Sequence, residues 1–414
     1  NNRLTMKKNL LITFFIVISN VCLSAKSNLD SLYTIWQDKK KSDSIRTNAY
    51  SDYIWDGYLY SNPDTAYILA QKLLHFGKDF SFKIAQAKAY DLMGISNKVR
   101  SNYSKALDYY KKSLLIKEEI GYKRGISITF NNIGIIYKNQ GDYPQALKYY
   151  QKSLKIKEEI GDKKSSSRTI NNIGNIYTEQ GNYSKALEYY QKSLTIEEEI
   201  TENFDKAYIF NNIGIIYQKQ GKYTKAMEYF KHSLKIDQKK RDKEGISTAI
   251  SNIAYIYSEK KNYLKALDYH QKSLKIKEEI GDKNGISVTM NNIGNIYKYK
   301  ENFNKALKYC NKALKICQEI GSLIAERNAC ECLYETYKLQ GNANEALVYL
   351  EKINIIEDKL NAQEIGKKLQ QMEFQKQVMK DSLAREKVIQ LEKQKKEEII
   401  QAKKRQNQIQ YSLM

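Results

Sequence analysis

Apolar residues recur along the middle of the chain at helical spacing, in paired stretches separated by short polar breaks. In one copy Phe130, Ile133 and Tyr137 share a face, followed by Tyr143, Ala146, Leu147, Tyr150 and Leu154. Steps of three and four residues put such positions on one side of a helix, so each copy predicts two amphipathic helices. Gly141 ends the first and Gly161, after Ile160, ends the second, where a helix C-terminus favours glycine. The pattern then repeats in phase. Ala66, Ala106, Ala146, Ala186, Ala226, Ala266, Ala306 and Ala346 are spaced by 40 residues, and Tyr103, Tyr143, Tyr183, Tyr223, Tyr263 and Phe303 keep that register. So do Gly94, Gly134, Gly174, Gly214 and Gly294, with Ala254 in the one substituted place. Small residues such as Gly134 and Ala146 are expected where the two helices of a hairpin cross. A single hairpin cannot bury its stripe alone, so neighbours must stack into a solenoid. The fold class expected is all-α, a helical-hairpin solenoid followed by a long C-terminal helix.

The order Phe130-x-x-Ile133-Gly134-x-x-Tyr137, then Gly141-x-Tyr143, Ala146 and Tyr150, resembles the tetratricopeptide repeat. The resemblance implies a right-handed solenoid. The period is longer than that family's usual one and its Pro near the end of the second helix is missing, so both helices should be longer. This long form, with NNIGNIY and EEIGDK, is similar to the repeats of the LGN/Pins spindle-orientation adaptors and of kinesin light chains. Those relatives bind extended peptides in a concave groove, partly through Asn residues of the first helices. The matching row here is Asn132, Asn172, Asn212, Asn252 and Asn292, flanked by Asn131, Asn171, Asn211 and Asn291, with Asn175 and Asn295 one turn further on. An amide offers a donor and an acceptor to a peptide backbone, and helix interiors disfavour Asn, so propensity does not explain the row. The groove candidates are therefore Asn132, Asn172, Asn175, Asn212, Asn252, Asn292 and Asn295. The alternative is structural, with Asn132 and its copies tying adjacent hairpins together. Cys332 replaces Asn in the last copy, so the row should stop there. Side-chain specificity would fall to Ile135, Lys138, Tyr255 or Lys298, which vary among copies.

Composition narrows the function classes. Three His, two Pro, five Cys and two Trp in 414 residues leave little material for a catalytic or metal constellation, and His75, His232 and His270 fall in separate copies. No cofactor, metal or catalytic residue is expected, so these residues are not expected to form an enzyme. Cys310, Cys317, Cys330 and Cys332 cluster at the last two copies. Buried core thiols, a disulfide and a zinc site are the alternatives there. A net charge of +22, from 69 basic and 47 acidic residues, raises the question of an anionic polymer or membrane. Lys alternates with Glu in the recurring KIKEEI, however, as on a solvated helix face.

Five residues precede Met6. Lys7 and Lys8 form a charged start, Leu10 to Leu23 is apolar, and Ser24 and Ala25 offer a cleavage site. This is the layout of a secretory signal peptide over 6–25. Export to the periplasm is the expectation, which makes nucleic acid an unexpected partner. A lipoprotein is the alternative at Cys22, although Val21 precedes it where a small residue is wanted, and a retained signal anchor is another. Residues 26–49 are expected to form an N-terminal helical cap and residues 50–360 eight repeats, the first of them divergent around Ala66 and opened by Pro63. Residues 361–414 carry twelve Lys and Arg against seven Asp and Glu, with partial seams at Ile365, Leu369, Met372 and then Met379, Leu383. They are expected to form a basic helix, either paired in a two-stranded coiled-coil stalk that makes a homodimer or solvated as a tail.

This order, with DSIR at 43–46, PDTA at 63–66 and EFQKQVMKDSLA from Glu373, resembles the periplasmic front half of Bacteroidetes receptor-type proteins. In those a single membrane span and an adenylate/guanylate cyclase or histidine kinase follow. The resemblance implies the sensing and dimerising part of a one-span signalling protein, with a protein or extended peptide as ligand and inner-membrane anchoring beyond Met414. The first residue is not Met either, so the chain is expected to be part of a longer reading frame. The alternatives are a free-standing periplasmic scaffold for envelope protein assembly, an anionic-polymer binder, and an enzyme in its own right.

Overall fold

The structure is a computed structural model that describes residues 28–200 and 206–412. The expected leader at 6–25 lies outside the described residues. The described chain is helical, with short turns: α1 (residues 28–37), α2 (Asp43–Gly57), α3 (Pro63–Asp79), α4 (Lys83–Val99), α5 (Tyr103–Glu119), α6 (Lys123–Asn139), α7 (Tyr143–Glu159), α8 (Lys163–Glu179) and α9 (Tyr183–Glu198). After these come α10 (Lys206–Lys219), α11 (Tyr223–Lys240), α12 (Lys243–Glu259), α13 (Tyr263–Ile280), α14 (Lys283–Tyr299), α15 (Phe303–Ile320), α16 (Leu323–Leu339) and α17 (Ala343–Ser412). From α2 onward they pair as antiparallel hairpins, α2 with α3 through α16 with α17. In a typical copy two helices of 17 residues and two short turns fill the period.

Local chemistry sets these boundaries. Gly141 and Gly161 adopt φ of 70° and 71°, a left-handed conformation that costs glycine no Cβ clash. The Asp142 N–H then reaches the Tyr137 carbonyl at 2.9 Å, while the Asp142 carboxylate accepts from the Gln145 N–H at 3.2 Å and caps α7. Where glycine is missing, Arg241, Lys261 and Glu301 hold the same turn with positive φ. The phase also carries back past the expected start of the repeats. Ser42 caps α2, so the first hairpin opens at Asp43, inside the stretch expected as the cap, and residue 50 lies within α2. At the other end α17 runs without a break through residue 361.

The hairpins cross at the small residues. A Cβ on Gly134 would sit 2.7 Å from two ring carbons of Tyr150, and one on Gly174 would sit 2.6 and 2.8 Å from those of Tyr190. Both rings are fully buried. A second column is polar. Ser113, Ser153 and Ser193 donate to the carbonyls of Ala87, Ser127 and Ser167 of their own hairpins, at 2.9, 2.7 and 2.9 Å. One turn on, the buried Lys117, Lys157 and Lys277 reach into the following hairpin and donate to Thr129, Thr169 and Thr289 at 2.7, 2.6 and 2.9 Å. At the same register Glu197 and Asp237 are buried, and there the threonine is replaced by Ile209 and Ala249. Burial pulls the Lys157 ammonium down to about 8.

Cys310 and Cys332 form a disulfide with Cα atoms 6.2 Å apart, joining α15 to α16. Cys317 and Cys330 are buried thiols, and burial raises Cys330 to about 11. The cluster therefore divides between two of its alternatives, the disulfide and the core thiol. Among the described residues no group of three or more His, Cys, Asp or Glu could hold a metal, and no helix is long and apolar enough to cross a membrane.

The chain divides into two compact units, residues 1–362 and 363–414. The second is described as the continuation of α17. Ile365, Leu369, Met372 and Met379 are exposed along it, and Glu364 pairs with Lys368 at 2.7 Å.

Candidate functional site

First helices touch one another at α2 with α4, α8 with α10, α10 with α12 and α14 with α16, whereas among the described residues no pair of second helices makes a contact of that extent. The first helices therefore form the inner face of the array. All seven candidate asparagines lie on them and all are half-buried: Asn132 on α6, Asn172 and Asn175 on α8, Asn212 on α10, Asn252 on α12, Asn292 and Asn295 on α14.

Part of the row is a ladder between hairpins. The Asn172 amide donates to Asn131 Oδ1 at 3.5 Å, Asn212 to Asn171 Oδ1 at 3.4 Å, and Asn252 to Asn211 Oδ1 at 2.8 Å. Asn212 also donates to Asn175 Oδ1 at 3.2 Å, and that oxygen accepts the Tyr190 hydroxyl at 2.6 Å. The structural alternative for the row is thus realised in these members, with Asn172, Asn212 and Asn252 as donors and Asn131, Asn171, Asn211 and Asn175 as acceptors. At the next step Ser251 replaces the first asparagine, and its hydroxyl pairs with Ser273 at 2.7 Å.

Among the described residues, cavities open between the hairpins at three places. One of about 290 Å³ includes Asn131, Asn171, Asn172 and Tyr208. A second, about 370 Å³, includes Asn211, Ser233, Asp237 and Asp242. Burial raises Asp237 above the ordinary carboxylate range. The third, about 410 Å³, is walled by α12, α13, α14 and α16 and includes Asn292 and Asn295.

The third cavity arises from departures in the repeat. His270 stands where Tyr150 and Tyr190 stand in other copies, with Tyr255 in the place of Asn175 and Ser258 in that of Thr178. The Tyr190 hydroxyl, which bonds Asn175 and meets Thr178 at 3.0 Å, has no counterpart there. The shorter imidazole is 1% exposed, and its Nδ1 has no hydrogen-bond partner. Desolvation, then the nearby Lys277 charge, lowers His270 to about 4, so the ring is neutral at neutral pH. Opposite, Asn291 Oδ1 is buried without a partner. In the ladder its donor would come from residue 332, which is Cys332, held in the disulfide. Glu259, Glu331 and Glu335 are the carboxylates of the wall and Lys298 its ammonium. Lys298 pairs with Glu335, and Glu259 accepts from the Tyr223 hydroxyl at 3.1 Å.

Among the four variable positions, Tyr255 and Lys298 line this cavity, whereas Lys138 pairs with Glu179 at 3.1 Å and Ile135 is half-buried on α6. Sequence reasoning missed Glu259, Glu331 and Glu335. Glu331 stands in the register of Asn131, Asn171, Asn211 and Asn291, and Glu335 in that of Asn175 and Asn295; the breaks were visible in the sequence, but not that stacking brings these two acids together with Glu259.

The tetratricopeptide-repeat pattern matches residues 85–159, 165–239 and 245–319, together more than half of the chain. No curated protein matches the chain in sequence. Among solved structures, the apo quorum sensor NprR from B. thuringiensis is 20% identical, with a TM-score of 0.60 over 81% of this chain and 99% of its own. A Rap protein complexed with competence and sporulation factor is 15% identical, with a TM-score of 0.53 over 82% of this chain and 99% of its own. A STAND signal-transduction ATPase with a tetratricopeptide-repeat sensor from Pyrococcus horikoshii is 19% identical, with a TM-score of 0.55 over 84% of this chain and 55% of its own. At these identities the likeness is one of fold.

Proposed function

Because the chain belongs to the tetratricopeptide-repeat family, we propose that the inner face of its first helices binds an extended peptide or protein segment. In this reading the array is the periplasmic sensing part of a one-span signalling protein. The observation that carries the binding reading is the row of half-buried amides on that face, in which Asn172, Asn212 and Asn252 enter the inter-hairpin ladder as donors through their NH2 groups. A peptide backbone supplies the matching N–H and C=O groups. That one solenoid of similar fold is a quorum sensor and another is complexed with competence and sporulation factor supports a ligand-binding face. The leader expected at 6–25 and the Cys310–Cys332 disulfide support an oxidising, exported setting. The exposed stripe Ile365, Leu369, Met372 and Met379 is the surface through which two copies would pair as a stalk. Occupancy of the face would then bias that pairing and the output domain beyond it. A free-standing periplasmic scaffold is the second reading, favoured by three separate cavities that could hold more than one segment.

The test is the combined substitution of Asn172, Asn212 and Asn252 by Ala, with selection of binders from a random peptide library on the parent chain. Selected peptides should lose binding, while the array stays folded with a stability loss of about 0.5–1.5 kcal/mol for each ladder bond. Unchanged affinity would refute the groove assignment, and unfolding would make the row purely structural.

A further inference from the structure

The third cavity has the wrong charge for its setting. The chain as a whole carries +22, yet the wall holds three carboxylates, Glu259, Glu331 and Glu335, against the single ammonium of Lys298, a local balance of −2 with His270 neutral. Arg327 reaches Glu331 only loosely, at 3.6 Å. Arg327 Nε, a donor, makes no hydrogen bond, but the two unpartnered buried atoms on residues that line the cavity are of the complementary kind. Asn291 Oδ1 can only accept, and a neutral imidazole can present Nδ1 as an acceptor. Each orphan has a local cause, Cys332 in place of a donor asparagine and His270 in place of a tyrosine, and both fall on the same cavity. Buried polar atoms are ordinarily paired, so two orphans facing one space of about 410 Å³ mark a place where a partner is supplied from outside. Tyr255 and Tyr299 add exposed rings at the rim, 40% and 64% accessible, and aromatic faces attract cations. Lys298 itself lies 5.1 Å over the Tyr299 ring.

We infer that this cavity, between the sixth and eighth hairpins, is a pocket for a positively charged side chain, arginine or lysine, of the segment bound along the inner face. The inference rests on the groove reading above and adds to it a side chain and a place. The backbone of the segment is held by amides that do not discriminate among sequences. Glu331 and Glu335 provide the discrimination, together with the acceptors behind them. Glu335 shares its charge with Lys298, so an incoming guanidinium competes for that carboxylate and finds Glu331 one helical turn away.

The experiment uses the full chain and hexapeptide mixtures that carry Arg, Lys, citrulline or Glu at a fixed position, with the other positions randomised. Citrulline keeps the shape of arginine and removes its charge. Binding is read by fluorescence anisotropy at low and moderate salt. The Arg and Lys mixtures should bind at least tenfold tighter than the citrulline mixture, and the Glu mixture weakest. Glu331→Gln with Glu335→Gln should collapse the Arg-to-citrulline ratio to about one, and Glu331→Lys should favour the Glu mixture. Both side chains are about half exposed, so folding is expected to survive, and circular dichroism checks it. Equal affinity for Arg and citrulline, or a preference that persists in the double variant, would overturn the pocket. If such binding were still lost in the Asn172, Asn212 and Asn252 variant, the groove reading would stand without it. Failure of every mixture to bind would overturn both.

Discussion

Restoring tyrosine at position 270 should destabilise the sixth hairpin unless Ala254 is reduced to glycine at the same time. In four other copies the residue at the Ala254 position is glycine beneath a six-membered ring, Gly94 under Tyr110, Gly134 under Tyr150, Gly174 under Tyr190 and Gly214 under Phe230, and a Cβ there would lie 2.6–2.8 Å from ring carbons. Carbon pairs prefer about 3.5–4.0 Å, so the overlap is about 1 Å. Overpacking on that scale costs about 1–3 kcal/mol, which is the loss expected for His270→Tyr alone. Ala254→Gly alone should lose about 0.5–1 kcal/mol as a glycine within a helix. The double variant should recover most of the first loss, giving a favourable coupling of about 1–3 kcal/mol. A repeat array of this size does not unfold as one two-state unit. Native-state hydrogen exchange over α12 and α13 is therefore the assay, because it reads local opening. If His270→Tyr alone left the exchange of these helices unchanged, the claim that ring size dictates the small residue beneath it would be wrong.

Three further outcomes follow from the same geometry. His270 is lowered from 6.5 to about 4 by burial, so between those values the unfolded chain holds the extra proton and stability rises with pH. About 3 kcal/mol, fully present above pH ~6.5, should be lost on acidification through that window, and the loss should vanish in His270→Phe when exchange is compared at pH 7 and pH 4.5. The disulfide spans 22 residues, and its removal by Cys310→Ala with Cys332→Ala should weaken α15–α16 by about 3 kcal/mol, seen as faster exchange there with no further effect of reductant. Lys261 holds a left-handed turn at φ 56°. Lys261→Gly should slow exchange at the end of α12 and stabilise it by about 0.5–1 kcal/mol, and faster exchange would show that the lysine side chain matters more than its backbone.

What could be read from the chain was what local chemistry determines. The alanine row, the ends at Gly141 and Gly161 and the opening of α3 at Pro63 depend on residues within a turn or two of each other, so spacing is enough. The asparagine row was equally visible, but its use was not. Asn172 meets Asn131 and Asn252 meets Asn211 across hairpins, and that depends on how closely first helices approach. The Cys310–Cys332 pairing was undecided for the same reason, since four cysteines at two copies allow several partners. The acidic cavity was legible only in fragments. Ala254, Tyr255, His270 and Cys332 each break the pattern at a different point, and only stacking brings three of them to one space.

The buried column that runs Lys117, Lys157, Glu197, Asp237, Lys277, Cys317 makes the hairpins non-interchangeable. Each lysine finds its hydroxyl in the following hairpin. Loss of one repeat after Lys117 would still offer it Thr169. Loss of one repeat after Lys157 would face its ammonium with Ile209, and loss of two with Ala249, an uncompensated buried charge that is severely destabilising. Loss of three would offer Thr289 and restore the match. Recombination between such similar copies is easy at the level of DNA, yet this column admits only some of the resulting lengths. The array thus carries a grammar of permitted deletions, written in buried residues of its own column.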